Sequence, residues 1–272
     1  MNSAPEGRYL WTVLAQRRRI ILALAWQDLR NRYAGATLGL LWSFIQPLVM
    51  ALILWFVFAV ALQLKPIHGV PFIAWFLVSI AAWNFLAESL SAATQVLREY
   101  AFLVKKIRFQ IEILPLAKIL SCAGIHFLFL AVVVVLLLFK GIMPSWFWLQ
   151  TLYYVAALVL FVQALSWITA ALTVFSRDVA FSVQALLQLG FWVSPIFWEF
   201  DMIPERFRAL ATLLKLNPFV YIVRGYRYSL LEHQPFWADW QLMVYFWGFT
   251  AVLWLLGFLL FKKLKPQFAD VL

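Results

Sequence analysis

The sequence predicts an all-α, polytopic membrane protein: six transmembrane helices, an N-terminal amphipathic interface helix, and a re-entrant helical pair before the last span. Three observations carry this. The 272 residues are 65% hydrophobic and only 12% charged, about half the ~25% charged share of soluble domains, and the mean hydropathy is +0.87. Six apolar runs follow one another along the chain, each about 20 residues or longer, the length of a membrane-crossing helix. The Lys and Arg residues gather on alternate sides of those runs, as they do when cytoplasmic loops retain positive charge.

Residues 17–34, RRRIILALAWQDLRNRYA, form the interface helix. At helical spacing Leu22, Ala25, Trp26, Leu29 and Tyr33 share one stripe, while Gln27, Arg30 and Asn31 fall on other faces. A helix of this kind, with an arginine cluster before it, can lie flat on a membrane surface. Gly35 and Gly39 then mark a bend into the first span, 40–62. The second span, 70–97, follows a short loop, and the charged segment 99–113 is long enough for a short helix of its own. The third, fourth and fifth spans are 119–139, 146–175 and 179–198, the last two separated only by Ser176-Arg177-Asp178. The sixth is 242–261. With the N-terminus inside, 15 of the 22 Lys and Arg residues lie on the cytoplasmic side and 7 on the outer side, so both termini are expected in the cytoplasm. The excess positive charge then needs only anionic lipid, not nucleic acid, as its partner.

Residues 199–240 contain apolar steps at helical spacing on both sides of Asn217-Pro218, yet neither half is long enough to span. Two short helices broken at that pair, within 204–231, fit. Irregular backbone at membrane depth needs protein or a wet cavity against it, so the pair either caps a pathway or anchors the last span at the interface.

Chemistry-bearing residues are few. Asn84, Glu88, Ser91 and Gln95 share one face of the second span; a carboxylate there is costly and faces a bundle interior or a water-filled cavity. Ser166, Thr169 and Thr173 in the fourth span, and Gln184 and Gln188 in the fifth, either line a pathway or form interhelical hydrogen bonds. Aromatic residues make up 18% of the chain. Trp75, Trp83, Phe85, Phe191, Trp192, Phe197 and Trp198 crowd the second and fifth spans, where they pack, form an interfacial belt, or offer faces on which sugar rings stack. His126 reads as a packed core histidine, and His68 and His233 as solvent-facing. The single cysteine, Cys122, excludes an internal disulfide, and the three histidines give no metal-ligand spacing. No GxxxxGK[ST], HExxH or GxSxG stretch occurs, so neither a P-loop nor a familiar hydrolase site is present. The chain is expected not to be an enzyme, and no cofactor or metal is expected on it. No cleavable signal is evident.

Four stretches then become familiar. QDLRNRYAGATLGLLWSFIQPL (27–48), LVKKIRFQIEILPLAKIL (103–120), FSRDVAFSVQALLQLGFWVSPIF (175–197) and LNPFVYIVRGYRYSLL (216–231) resemble the permease subunits of type-2 ABC exporters, and among them the O-antigen and polysaccharide export permeases, with teichoic acid exporters next. The resemblance covers nearly the whole chain. It implies a bacterial inner-membrane permease that forms a homodimer and works with two copies of a separate ABC ATPase, which binds the ATP and magnesium. Its implied substrate is a lipid-linked polysaccharide carried on a polyprenyl diphosphate. Beside the glycine bend, Arg30, Arg32 and Tyr33 either contact that diphosphate at the inner leaflet, since guanidinium suits phosphate, or bind lipid headgroups or the ATPase. On this resemblance Asp28, Glu99, Lys105, Lys106 and Arg108 couple to the ATPase, and Asn217, Pro218, Arg224 and Arg227 belong to an outer gate. Trp42 joins the polar and aromatic residues of the second and fifth spans, Gln184 and Gln188 included, in lining a channel. The alternatives are teichoic acid or capsule export, small-molecule efflux by the same family, and a membrane-embedded glycolipid enzyme.

Overall fold

The computed structural model describes residues 6–32, 41–63, 66–105 and 110–272. Tyr33, Lys106, Arg108 and both glycines of the expected bend lie outside the described residues. Those described are helices and their connections: α1 (Glu6–Arg32), α2 (Trp42–Trp55, continued by a π turn Phe56–Ala61), α3 (Phe72–Glu99), α4 (Ala101–Val104), α5 (Leu114–Phe139), α6 (Gln150–Phe175), α7 (Asp178–Val193), α8 (Arg208–Leu214), α9 (Phe219–Arg227, continued by a π turn Tyr228–Glu232), α10 (Trp240–Leu264) and α11 (Phe268–Val271). One isolated bridge, Ile67 to Val70, closes the turn before α3.

Four stretches among the described residues are long and apolar enough to cross a membrane: Phe72–Glu99, Ile111–Phe139, Trp146–Phe175 and Trp240–Val271. α3 stands at the centre, packed on α5 and α6, with α9 and α7 also against it; α10 lies along α6, and α1 along α5. From Ala74 to Trp83 every α3 residue is buried. That is a core helix, apolar all round over this stretch but for Ser79.

Two boundaries differ from the sequence reading for physical reasons. α5 begins at Leu114, five residues before 119, because Lys118 does not end the apolar helix: Asp28 and Glu99 both pair with it. α7 has 16 residues and stops at Val193, about 24 Å at 1.5 Å per residue, short of the ~30 Å hydrocarbon core. Pro195 cannot extend the helix, and Ser194 already has extended backbone.

The apolar stripe expected on the interface helix divides. Ile21, Ala25 and Asp28 are the buried edge, three and four apart, and α1 packs on α5. Leu22 and Trp26 turn outward, 59% and 63% exposed, with Arg18, Arg19 and Arg30 exposed as well. One side of the helix is therefore docked to protein, and another presents two large apolar groups rimmed by cations.

Candidate functional site

Where α1 meets α3 and α5, charges of alternating sign form a chain. Glu88 accepts from Arg32 at 2.5 Å, and the Arg32 Nε donates to Asp28 at 2.9 Å. Asp28 also accepts from Lys118 at 2.5 Å, and Lys118 pairs with Glu99 at 2.6 Å. The remaining Arg32 nitrogen lies 3.1 Å from Cys122 Sγ. The members in the middle, Asp28 and Lys118, are buried; the ends, Glu88 and Glu99, are partly open. Burial alone pushes the Asp28 carboxyl up, but the Lys118 hydrogen bond and the Arg32 and Lys118 charges pull it further down, leaving it below the ordinary carboxylate value. Helix spacing explains the assembly. Asp28 and Arg32 are one turn apart on α1, Lys118 and Cys122 one turn apart on α5, and both pairs face the same crevice.

Beyond Glu88, α3 opens along a single stripe. Asn84, Ala87, Glu88, Ser91, Ala92, Gln95, Arg98 and Glu99 are its partly or fully exposed positions after Trp83, spaced as one helical face. The polar face read from the sequence is thus the open face of an otherwise buried helix. Gln184 and Gln188 are exposed on α7, as are Phe181, Leu186, Leu189 and Trp192; within α7 only Val183 and Phe191 are buried.

The aromatic residues fall into two sets. Trp75 is buried beneath the Arg227 guanidinium, 3.8 Å from its ring centre. Phe85 is buried and stacked on His126, and Trp83 is held edge-on by Phe191 and Phe219. These pack inside the subunit. Trp42 and Trp192 are exposed, while Phe197 stacks on Phe58 at 5.2 Å and Trp198 donates to the Trp192 carbonyl. Of the α6 hydroxyls read from the sequence, two are bonded: Thr94 donates to Thr169, and Thr173 to the Thr169 carbonyl, whereas the Ser166 hydroxyl is buried without a hydrogen-bond partner among the described residues.

The chain breaks at Asn217-Pro218, as its sequence requires. The Asn217 carbonyl oxygen accepts from the Phe219 amide and its amide nitrogen donates to Ser194. The two halves differ in kind. α8 has no buried residue, whereas α9 is buried against α3 and α6. Arg224 pairs with Asp239 at 2.8 Å, and Arg227, 1% exposed, pairs with Glu199 at 3.0 Å. Lys105 is exposed, beside α4, whose Val104 packs in one cluster with Phe268 of α11 and Phe261 of α10.

Residues that the sequence reading missed are the partners: Lys118, Cys122, Glu199 and Asp239. A signal existed for Lys118, a lysine placed one turn inside an apolar run. None existed for Glu199, whose role depends on a fold that returns Arg227 to it. No group of His, Cys, Asp and Glu side chains able to hold a metal occurs among the described residues.

Comparisons with known proteins agree with this architecture. The family profile described as ABC-2 type transporter matches residues 19–231. An O-antigen export system permease protein RfbA from Klebsiella pneumoniae is 30% identical over 256 residues, covering 93% of this chain and 95% of that protein. A second from the same species is 29% identical over the same length. One from Myxococcus xanthus is 26% identical over 257 residues, 94% of this chain and 96% of its own. With helices able to cross a membrane and a match over most of its length, the chain belongs to the ABC-2 type transporter family, as a membrane transport subunit similar to O-antigen export permeases.

Proposed function

We propose that this chain is the permease half of an ATP-driven exporter that moves a polyprenyl-diphosphate-linked polysaccharide of the O-antigen kind from the cytoplasm across the bacterial inner membrane. In this reading it has six spans, with α2 and α7 adding to the four long helices and both termini inside, and it works as a homodimer with two copies of an ABC ATPase chain. The observation that carries it is the open stripe of α3: Asn84, Glu88, Ser91 and Gln95. Lipid tails cannot satisfy such a face, so a second subunit or water must cover it. A water-filled seam between two copies, lined by this stripe and by Gln184 and Gln188, supplies both. Exposed aromatics such as Trp42 and Trp192 then offer weak, repeated stacking along which a polymer slides.

The division of the cations refines the inner mouth. Arg32 is already held by two carboxylates, and the cluster of Arg32, Glu88, Asp28, Lys118 and Glu99 is net negative by one charge. Arg30 is exposed and can turn to a diphosphate, with Tyr33 three residues on, while Arg32 holds the helix in place. Exposed guanidinium suits phosphate because its fork donates two parallel hydrogen bonds. Energy from the ATPase enters through α1 and the 99–113 segment, with Lys105 at its exposed tip. The charge chain ties α1 to α3 and α5, so a push on the helix moves the spans as one body.

The test is co-reconstitution with the proposed ABC ATPase partner and a lipid-linked glycan in proteoliposomes. ATP-dependent delivery of glycan to the far side is expected, and its absence with an assembled, hydrolysing complex overturns the reading. In the same assay Arg30→Ala should lower the export rate by about tenfold, the worth of one charge-assisted phosphate contact, while ATP hydrolysis continues. An unchanged rate would remove Arg30 from the substrate path.

A further inference from the structure

The segment Ser194–Glu199 is the one place where the fifth run of the sequence gives up its helix before reaching the outer side. Ser194 donates the last helical bond, to Gly190, and Pro195 ends the ladder. The carbonyls of Pro195 and Ile196 are left without helical partners, in a segment where Ser194, Pro195, Ile196 and Glu199 are all buried. At that depth such carbonyls need a donor from the protein. A single side chain supplies it. Arg227, arriving on α9, donates to the Pro195 carbonyl at 2.6 Å and to the Ile196 carbonyl at 3.1 Å. It donates as well to Glu199 at 3.0 Å and, through Nε, to Ser79 of α3 at 2.9 Å, while its face covers Trp75. One guanidinium therefore fastens the end of α7, the outer helical pair and the core helix α3 together.

We propose that Arg227 is the positioning residue of an outer catch: with Glu199 it holds the end of α7 against α3 and α9 and keeps the outer mouth shut until both groups exchange their partners for water. This rests on the permease reading and names how its outer end is held. The physical case for a catch over a fixed brace has two parts. A buried ion pair contributes little net stability, because desolvation offsets most of the attraction, so water reaching an opened mouth returns much of what the broken bonds lose. Three of the four Arg227 partners also sit on the one element free to part: Pro195, Ile196 and Glu199 belong to a segment with no helical ladder to resist displacement, and α8, further along, touches the rest of the subunit sparsely. Arg224, in the same last turn of α9 as Arg227, pairs with Asp239 closer to solvent and ties that turn to the α10 connection, so α9 stays seated while the Ser194–Glu199 segment leaves it.

The permease co-reconstituted with its ATPase in dye-loaded liposomes, without nucleotide or substrate, tests this. Glu199→Gln keeps an acceptor in place but removes the charge. Escape of a small polar dye should rise about tenfold or more over wild type, the bias that one charge-assisted hydrogen bond supplies, and Arg227→Lys should leak likewise. If Glu199→Gln lowers the thermal midpoint, Ser79→Ala, which removes the Nε acceptor and a hydroxyl bond within α3 to the Trp75 carbonyl but leaves the charge pair, reads the same leak in a folded protein. Liposomes as tight as wild type with folded Glu199→Gln or Ser79→Ala overturn the catch. A brace without gating function would lower the midpoint and leave the liposomes tight. Dye escape needs neither ATP nor glycan, so a failed export assay and a failed catch are separate results.

Discussion

At the scale of single residues, the sequence named polar groups and could not name their partners. Glu88 stands out because a carboxylate among apolar neighbours is expensive; that it is answered by Arg32, 56 positions away, depends on α1 lying along α5, which no local pattern reveals. The same holds for Arg227 and Glu199. The network makes sharp predictions. Asp28 lies between two cations, so Asp28→Ala leaves buried Lys118 with Glu99 as its one carboxylate and removes one of Arg32's three contacts, and should destabilise the subunit by about 2–3 kcal/mol. Asp28→Ala with Lys118→Met removes charges of both signs and should recover most of that loss, as a denaturant or thermal titration of the purified complex would read. Recovery failing would mean that Asp28 acts alone. Acid should act the same way. The folded carboxyl sits below its ordinary value, so its contribution is present above about pH 3.9 and lost as the pH falls through the lower folded value. Docking of α1, followed by limited proteolysis, should therefore hold at pH 5 and weaken only below about pH 4. Asp28→Asn should remove that dependence.

At the scale of elements, periodicity and length served best where a helix is long and uniformly apolar. α6 with its leading turn fills the run Trp146–Phe175 as read, and α10 begins within two residues of expectation. They served less well for α1, because an apolar stripe does not say whether protein or lipid covers it; here Ile21 and Ala25 take the protein and Leu22 and Trp26 do not. They could not separate α8 from α9 either. Both read as short amphipathic helices around Asn217-Pro218, but α9 is buried in the bundle because Gly225 lets it press on Tyr154. A Cβ at Gly225 would meet the Tyr154 ring at 2.0 Å. Gly225→Ala should therefore lift α9 from α6, costing about 1–3 kcal/mol as overpacking does, and loosen the outer end. Gly225→Ala with Tyr154→Leu should regain part of the loss, since residues in contact do not act additively. A thermal midpoint unmoved by Gly225→Ala would show that α9 is not seated as described.

At the scale of the whole molecule, what the sequence conveyed was a distribution of charge, and the fold turns that into a direction. Basic residues near α1, α4 and the foot of α5 lie at one end of the bundle, joined to the spans by the Asp28–Lys118–Glu99 pairs. Lys140, at the close of α5, lies one helix length from Lys118. In the proposed exporter the first end receives the ATPase and the second faces outward, so the two lysines should differ in what they can reach. The chemistry for testing this is clean, because the single native thiol, Cys122, is buried. A cysteine at 105 should form a crosslink to the ATPase chain with a short bifunctional maleimide, and one at 140 should not, while an impermeant maleimide added to whole cells should label 140 and spare 105. If 140 crosslinks and 105 is labelled from outside, the orientation is inverted. The polar stripe of α3 would then carry substrate the other way, and the assignment of inner and outer mouths would have to be exchanged.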